Sequence, residues 1–387
     1  MRWVLAAVKL RKLLLWLYLV FLAGFFYIPD AVDAYKLFTY LVLPVFIVPL
    51  IGFFRILRRS RLFWLISAYI AYMTLSSLWS DPFQVEMLMQ ALGASLCVLA
   101  FVVITAFFYQ EPDSRMLRAW MVLWAAVCIN AVISMYYWYV HLAQPLLHSR
   151  MVGTGILENP NPVGFVFGIF VLIGLDLLYR CHGRVCQAGV YAGTLVLVSA
   201  LLLTQSRTAA IALLVSAMVF FSATTRNRGW DARAILLVTA GVLLVFLFKD
   251  LLIANFGRTM SVRPKIWMAI LRGTDGSIWF GNGYLTPFMA EGFEWAHNGF
   301  LATLRDGGLV GVMLMLAMII EAFSASIRRT GAQASFLVPS MLLFGNLCLL
   351  TDGDRLMLWP KAIWLFFWLP IGLALLQQLK QGHAAPP

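Results

Sequence analysis

Apolar runs of about twenty residues recur along most of this chain, and nothing else in the sequence restricts its fold so strongly. A hydrocarbon core about 30 Å thick is crossed by roughly 20 residues of helix, so each run has the length of a bilayer crossing. Inside lipid every backbone amide and carbonyl needs an internal partner, which leaves only helices and closed barrels. Barrel strands alternate apolar and polar residues, and these runs do not. Of the 387 residues, 62% are hydrophobic and 12% charged, against about 25% charged in soluble domains. The expected fold is an all-α polytopic membrane protein.

Twelve spans are expected, at 12–29, 35–54, 62–80, 84–109, 115–140, 162–179, 186–204, 207–224, 232–249, 298–324, 333–351 and 358–379. The start, MRWVLAAVKLRK followed by LLLWLYLVFLAGFFYIP, has the basic and apolar parts of a signal peptide. The spans behind it favour an uncleaved first helix instead. Short loops on the cytoplasmic side retain Lys and Arg. Of the 29 basic residues, most fall in alternate loops, among them Arg55, Arg58, Arg59 and Arg61, then Arg115 and Arg118, then Arg180 and Arg184. That alternation puts both termini in the cytoplasm and makes 1–387 a single membrane domain, with 250–297 inserted on the outer side between spans nine and ten. It also accounts for most of the +12 net charge, and no basic helix with interleaved aromatics points to nucleic acid. The five cysteines show no zinc spacing and read as packing residues.

Basic residues on the outer side run against this bias. Arg263 and Lys265 lie in the inserted segment, Arg150 in a second outer segment, and Arg207 in a tight turn, LLLTQSRTAAIALL. Each could snorkel to lipid headgroups. Arg207 fits that reading least, because its turn holds the side chain among helix ends, where ionisable groups usually mark a site. Arg207, Arg263 and Arg150, with Lys265 beside them, would suit phosphate or pyrophosphate if they converge on one cavity, since guanidinium groups bind it through two parallel hydrogen bonds. SVRPKIWMAILRG reads as a short amphipathic helix with Ser261 as N-cap, Pro264 in its first turn and Ile266, Trp267, Ile270 and Leu271 on a face laid down at the interface.

His297 starts a long apolar helix in EWAHNGFLATLRDGGLVG. It could cap that helix, or act as a general base kept neutral by the positive helix end. Asn298 and Arg305 lie near one stripe, so a polar face would continue into the membrane; Arg305 and Asp306 could equally form a local ion pair. ENPNPVG, with Asn159 and Asn161, reads as a stiff loop capped for helix entry. Asp352 and Asp354 could bind a cation, but two carboxylates alone are a weak site; bonding to a sugar, or orienting a nearby His or Arg, is preferred. Trp267, Trp279, Tyr284 and Trp295 could stack on sugars or anchor at the interface.

The order Arg150 with ENPNPVG, SRTA at Arg207, RPKIW at Arg263 and WAHNGFLATLRDGGLVG at His297, within twelve spans and one large outer segment, resembles the O-antigen ligase family. O-antigen polymerases and protein O-oligosaccharyltransferases share the pattern. The resemblance implies a GT-C-like glycosyltransferase of the Gram-negative inner membrane, acting on the periplasmic side. It would move O-antigen polysaccharide from an undecaprenyl-pyrophosphate-linked donor to a lipid A-core acceptor, without metal or other cofactor. It assigns the essential His to His297, the essential Arg residues to Arg207 and Arg263, a late acidic residue to Asp352, and less firmly Arg150. No carboxylate pair calls for a covalent glycosyl intermediate, so a single inverting displacement is expected. A lipid-linked glycan flippase or exporter would need charge in both membrane halves, whereas these mid-membrane runs are almost uncharged.

Overall fold

The computed structural model describes residues 2–146, 149–228, 262–274, 276–327, 336–353 and 355–384. The elements are helical: α1 (Arg2–Tyr27), α2 (Ala31–Leu57), α3 (Arg61–Ser76), α4 (Val85–Phe107), α5 (Asp113–Tyr136), α6 (Pro160–Arg180), α7 (Arg184–Leu203) and α8 (Arg207–Arg228) come first. After them stand α9 (Arg263–Gly273), α10 (Gly299–Ile327), α11 (Leu337–Leu349) and α12 (Leu369–Ala384), the last entered through a π turn, Trp364–Trp368. Among the described residues nine helices are long and apolar enough to cross a membrane. With α11 and α12 they match eleven of the expected spans. The ninth expected span, 232–249, lies outside the described residues. The protein is an integral, polytopic, all-α membrane protein.

The chain forms two compact units. The first takes 1–60, 100–206 and 359–387. Its helix α6 is apolar on every side from Val163 to Leu175 and packs against α5, α7 and the Trp364–Trp368 turn, as a stretch without a polar face should. Trp364 is fully buried, and the rings of Phe101, Phe38, Phe21 and Phe25 lie 4.8, 5.1, 6.2 and 6.3 Å from it. These are edge and tilted contacts of the kind aromatic quadrupoles favour. Cys181 and Cys186 are bonded to each other across the turn from α6 to α7, so they do not act only as packing residues; Cys97, Cys128 and Cys348 are free.

The second unit takes 61–99 and 207–358. Here α10 packs on α3, α9 and α11, and α11 on α8. The expected continuous helix over 298–324 is broken: Gly308 has φ +62°, ψ −163°. Arg305 and Asp306 therefore stand on a short helical arm before the break, and the polar stripe expected to continue into the membrane ends there. A broken helix leaves carbonyls and amides unpaired on either side. The segment 278–283 supplies the partners. Asn282 and Gly283 amides donate to the Arg305 and Asp306 carbonyls (2.7 and 2.9 Å), and Leu309 and Val310 amides donate to Ile278 and Trp279 carbonyls (2.8 and 3.1 Å). Backbone approaches backbone so closely that a Cβ on Gly308 would lie 2.4 Å from Trp279, and one on Gly281 2.5 Å from Asp306. Tyr72 of α3 donates to the Gly307 carbonyl (2.7 Å), and Ser80 to that of Tyr284 (2.7 Å).

Candidate functional site

The site lies in the second unit, where two chain connections cross. One is Ala296–Asn298, at the entry to α10; the other is Leu350–Gly353, at the exit from α11. Asn298 is the N-cap: its Oδ1 accepts from the amides of Phe300 and Leu301 (2.9 and 3.0 Å), and its Nδ2 donates to the Leu350 carbonyl (2.9 Å). His297 is therefore not the cap of α10. It precedes the cap with φ +49°, a left-handed conformation that is uncommon for a side chain bearing a Cβ and that clusters at functional sites.

The conformation turns the imidazole toward the other connection. His297 Nδ1 lies 3.2 Å from Asp352 Oδ1, which also accepts from the Gly353 amide (2.9 Å). Both side chains are mostly buried but still open to solvent, at 25% and 13%. With the Nδ1 proton donated to the carboxylate, Nε2 keeps a lone pair, and the ring is held in one tautomer and orientation. Phe293 packs its ring at 5.6 Å against the imidazole. The acidic residue thus orients a His, one of the roles open to it from the sequence. Asp354 lies outside the described residues. Among the described residues no three His, Cys, Asp or Glu gather to hold a metal ion.

Contacts lead from this pair to two arginines. Thr351 donates to Thr208 (2.6 Å), which places Arg207, first residue of α8, beside the Asp352 connection. On the other side Trp267 Nε1 donates to the Ala296 carbonyl (3.1 Å). It docks α9, which Arg263 opens, against the residue before His297. Ile266 and Ile270 bury their side chains with Ala296 and Ala302, so α9 uses its apolar face inside the protein rather than on lipid. Leu271, expected on that face, is exposed, and Ser261 lies outside the described residues. The two contacts bring the first residues of α8 and α9, Arg207 and Arg263, to the connections that carry Asp352 and His297.

The remaining expected residues are distributed otherwise. Lys265 pairs with Glu291 at 3.6 Å on an exposed surface. Arg150, in the first unit, donates through Nε to the Thr204 carbonyl (3.1 Å) and through Nη2 to Asn161 Oδ1. Asn159 caps α6, accepting from the Asn161 amide (3.0 Å), as its loop composition indicated. Of the four aromatics, Trp279 and Trp295 are exposed, whereas Tyr284 is fully buried with its hydroxyl on the Met357 carbonyl and is closed to a sugar. The local Arg305–Asp306 ion pair left open by the sequence forms, and Arg355, which sequence reading missed, joins it to make a hub around Asp306. Its Oδ1 accepts from Arg305 Nε (2.6 Å), and its Oδ2 from Arg305 Nη2 (3.2 Å) and Arg355 Nε (2.8 Å). Arg355 also donates to the Thr286 carbonyl (2.6 Å). The arginine triad ties the broken arm of α10 to the connection that carries Asp352. The adjacent pair Gly307–Gly308, following two charges, was the available signal.

A sequence profile of the family described as O-antigen ligase matches residues 192–316. The O-antigen ligase of Pseudomonas aeruginosa is 31% identical over 379 residues, which cover 95% of this chain and 91% of that protein. The chain belongs to the O-antigen ligase family. The stretch matched by the O-antigen ligase profile contains Arg207, Arg263, His297, Asn298 and the Arg305–Asp306 arm. Asp352 and Arg355 lie beyond its end, and they reach the O-antigen ligase motifs through the contacts described above.

Proposed function

We propose that this protein is a metal-independent, inverting glycosyltransferase of the inner membrane. It transfers O-antigen polysaccharide en bloc from undecaprenyl pyrophosphate to a sugar hydroxyl of lipid A-core, at the periplasmic face, with both termini in the cytoplasm. The observation that carries the reading is His297, hydrogen-bonded to Asp352 from a left-handed backbone, with Arg207 and Arg263 opening the two helices that contact the same connections. In the proposed step an acceptor hydroxyl attacks the anomeric carbon and its proton passes to His297 Nε2. The bond from that carbon to the pyrophosphate oxygen breaks, and undecaprenyl pyrophosphate leaves with the electron pair. Asp352 stabilises the imidazolium that forms, as an oriented carboxylate does for a catalytic His. Arg207 and Arg263 bind the pyrophosphate and stabilise charge growing on it in a site of low polarity.

Arg150 and Lys265 are given supporting roles, since Arg150 joins the Thr204 turn to the start of α6 and Lys265 has a carboxylate partner. Asn298 and Arg305 hold the frame of the site. The test is transfer by purified protein given lipid-linked O-antigen and lipid A-core. His297→Ala should stay folded and lose roughly 10²–10⁴-fold in rate, the range of general-base contributions. Wild-type activity in that variant would remove the base. Product formed only on a second lipid-linked glycan, or only on a Ser or Thr side chain, would instead make the enzyme a polymerase or a protein O-oligosaccharyltransferase.

A further inference from the structure

In the first unit a cavity of about 180 Å³ opens between α1 and α5. Its two kinds of wall are ordered by helical spacing. Lys12 is followed on α1 by Leu15, Trp16 and Leu19, all within two turns on one stripe, and α5 brings Arg115 and Arg118 from its first two turns. The cations therefore sit at one end of the groove, where α5 begins beside the third turn of α1, and the apolar side chains extend from them into the apolar part of α1. Ala119, too small to fill the gap between the helices, leaves the space open.

The charges around this mouth do not cancel. Glu111 is engaged by Arg115, and Asp113 by Lys380 at 2.8 Å. Arg118 donates Nε to the Ser114 carbonyl at 3.3 Å and has no carboxylate partner among the described residues, and Lys12 is exposed. Arg11 lies over the Phe107 ring at 5.8 Å. Three cations thus line the cavity, and the two carboxylates nearest them in sequence, Glu111 and Asp113, are already engaged by Arg115 and Lys380. A basic pocket between membrane helices with an apolar wall beneath matches a lipid that carries negative charge at its head and hydrocarbon below. Free phosphate would satisfy the rim but has no use for Leu15, Trp16 and Leu19.

We propose that the groove between α1 and α5 binds an anionic glycerophospholipid, its phosphate held by Lys12, Arg115 and Arg118 and an acyl chain lying along Leu15, Trp16 and Leu19. None of these residues has a part in the proposed transfer, so the two assignments fail or stand separately. The test uses the full-length purified protein in neutral detergent, with a fluorescent phosphatidylglycerol as probe and the matching phosphatidylcholine as control, read by native mass spectrometry and by titration. The phosphatidylglycerol should bind in preference to the phosphatidylcholine and survive excess inorganic phosphate. Lys12→Gln with Arg118→Gln should weaken it roughly 30-fold, for two basic residues near an anionic headgroup. Trp16→Ala, at an exposed position, should also weaken it with every charge in place, and serves if the double variant does not fold. Equal binding of the two lipids, displacement by inorganic phosphate, or unchanged affinity in Trp16→Ala would each overturn the proposal.

Discussion

Replacing Asp306 by Ala tests whether the arginine triad holds the site together. The carboxylate is 1% exposed and accepts three hydrogen bonds from two guanidinium groups that are 3% and 14% exposed. At about 4 Å and an effective dielectric near 20, each charge pair is worth about 4 kcal/mol before desolvation. Removing the common anion leaves two buried cations facing each other, and breaking a buried pair in this way costs about 3–5 kcal/mol. For a unit of this size 1 kcal/mol moves a melting midpoint by about 2–4 °C, so a fall of roughly 6–20 °C is expected. Thermal unfolding in detergent, followed by intrinsic fluorescence, measures it. The triple change Asp306→Leu, Arg305→Met and Arg355→Met should recover most of the loss, because apolar replacement of a whole buried ion cluster is often neutral or better. A midpoint within about 2 °C of wild type for Asp306→Ala would refute the reasoning, since it would mean that the triad is solvated and energetically idle.

Asp352→Asn keeps the shape of the carboxylate but favours the wrong imidazole tautomer; transfer should fall by about 10²–10⁴-fold with donor KM little changed, in steady-state assays. Arg207→Lys and Arg263→Lys keep the charge and lose the planar fork, and each should lower donor kcat/KM by about 10-fold or more, the size of a charge-assisted hydrogen bond; unchanged donor kinetics would sink the pyrophosphate assignment. Gly308→Ala places a Cβ 2.4 Å from the Trp279 backbone at φ +62°, and the sum of left-handed strain and overpacking, about 2–5 kcal/mol, should appear as a lower melting midpoint.

The helices were legible because lipid enforces length and composition on each crossing, so apolar runs alone locate α2 through α8 within a few residues, whereas α1 starts ten residues before its expected span through the basic residues that precede it. His297 was legible by exception, as a titratable ring at the mouth of an apolar helix. Asp352 was legible as an acidic residue that could orient a nearby His or Arg, but its pairing with His297 was not, because it lies 55 positions away and meets it only where two helix ends are brought together by Asn298 on the Leu350 carbonyl. The break in α10 was hidden for a related reason. Hydropathy adds contributions along a stretch and is insensitive to one residue whose φ turns positive, and the groups that satisfy the break come from 278–283, outside the helix. Arg150 read as a ligand because an outer-side cation is rare; its contacts with the Thr204 carbonyl and Asn161 were not legible, because those polar groups carry no charge to betray them in a sequence.

The break at Gly308 also bears on how α10 can enter a bilayer during synthesis. A continuous helix from Gly299 would carry Arg305 and Asp306 toward the hydrocarbon, and at a helix centre each costs an insertion machinery about 2.5–3.5 kcal/mol. With the break, the stretch to be inserted starts at Leu309 and runs to Ile327, nineteen residues with a single acidic group, Glu321. At 1.5 Å per residue that is about 28 Å, close to a full crossing. The two glycines therefore let one segment satisfy the demands of membrane insertion while the arm ahead of it stays polar enough to build an ion cluster.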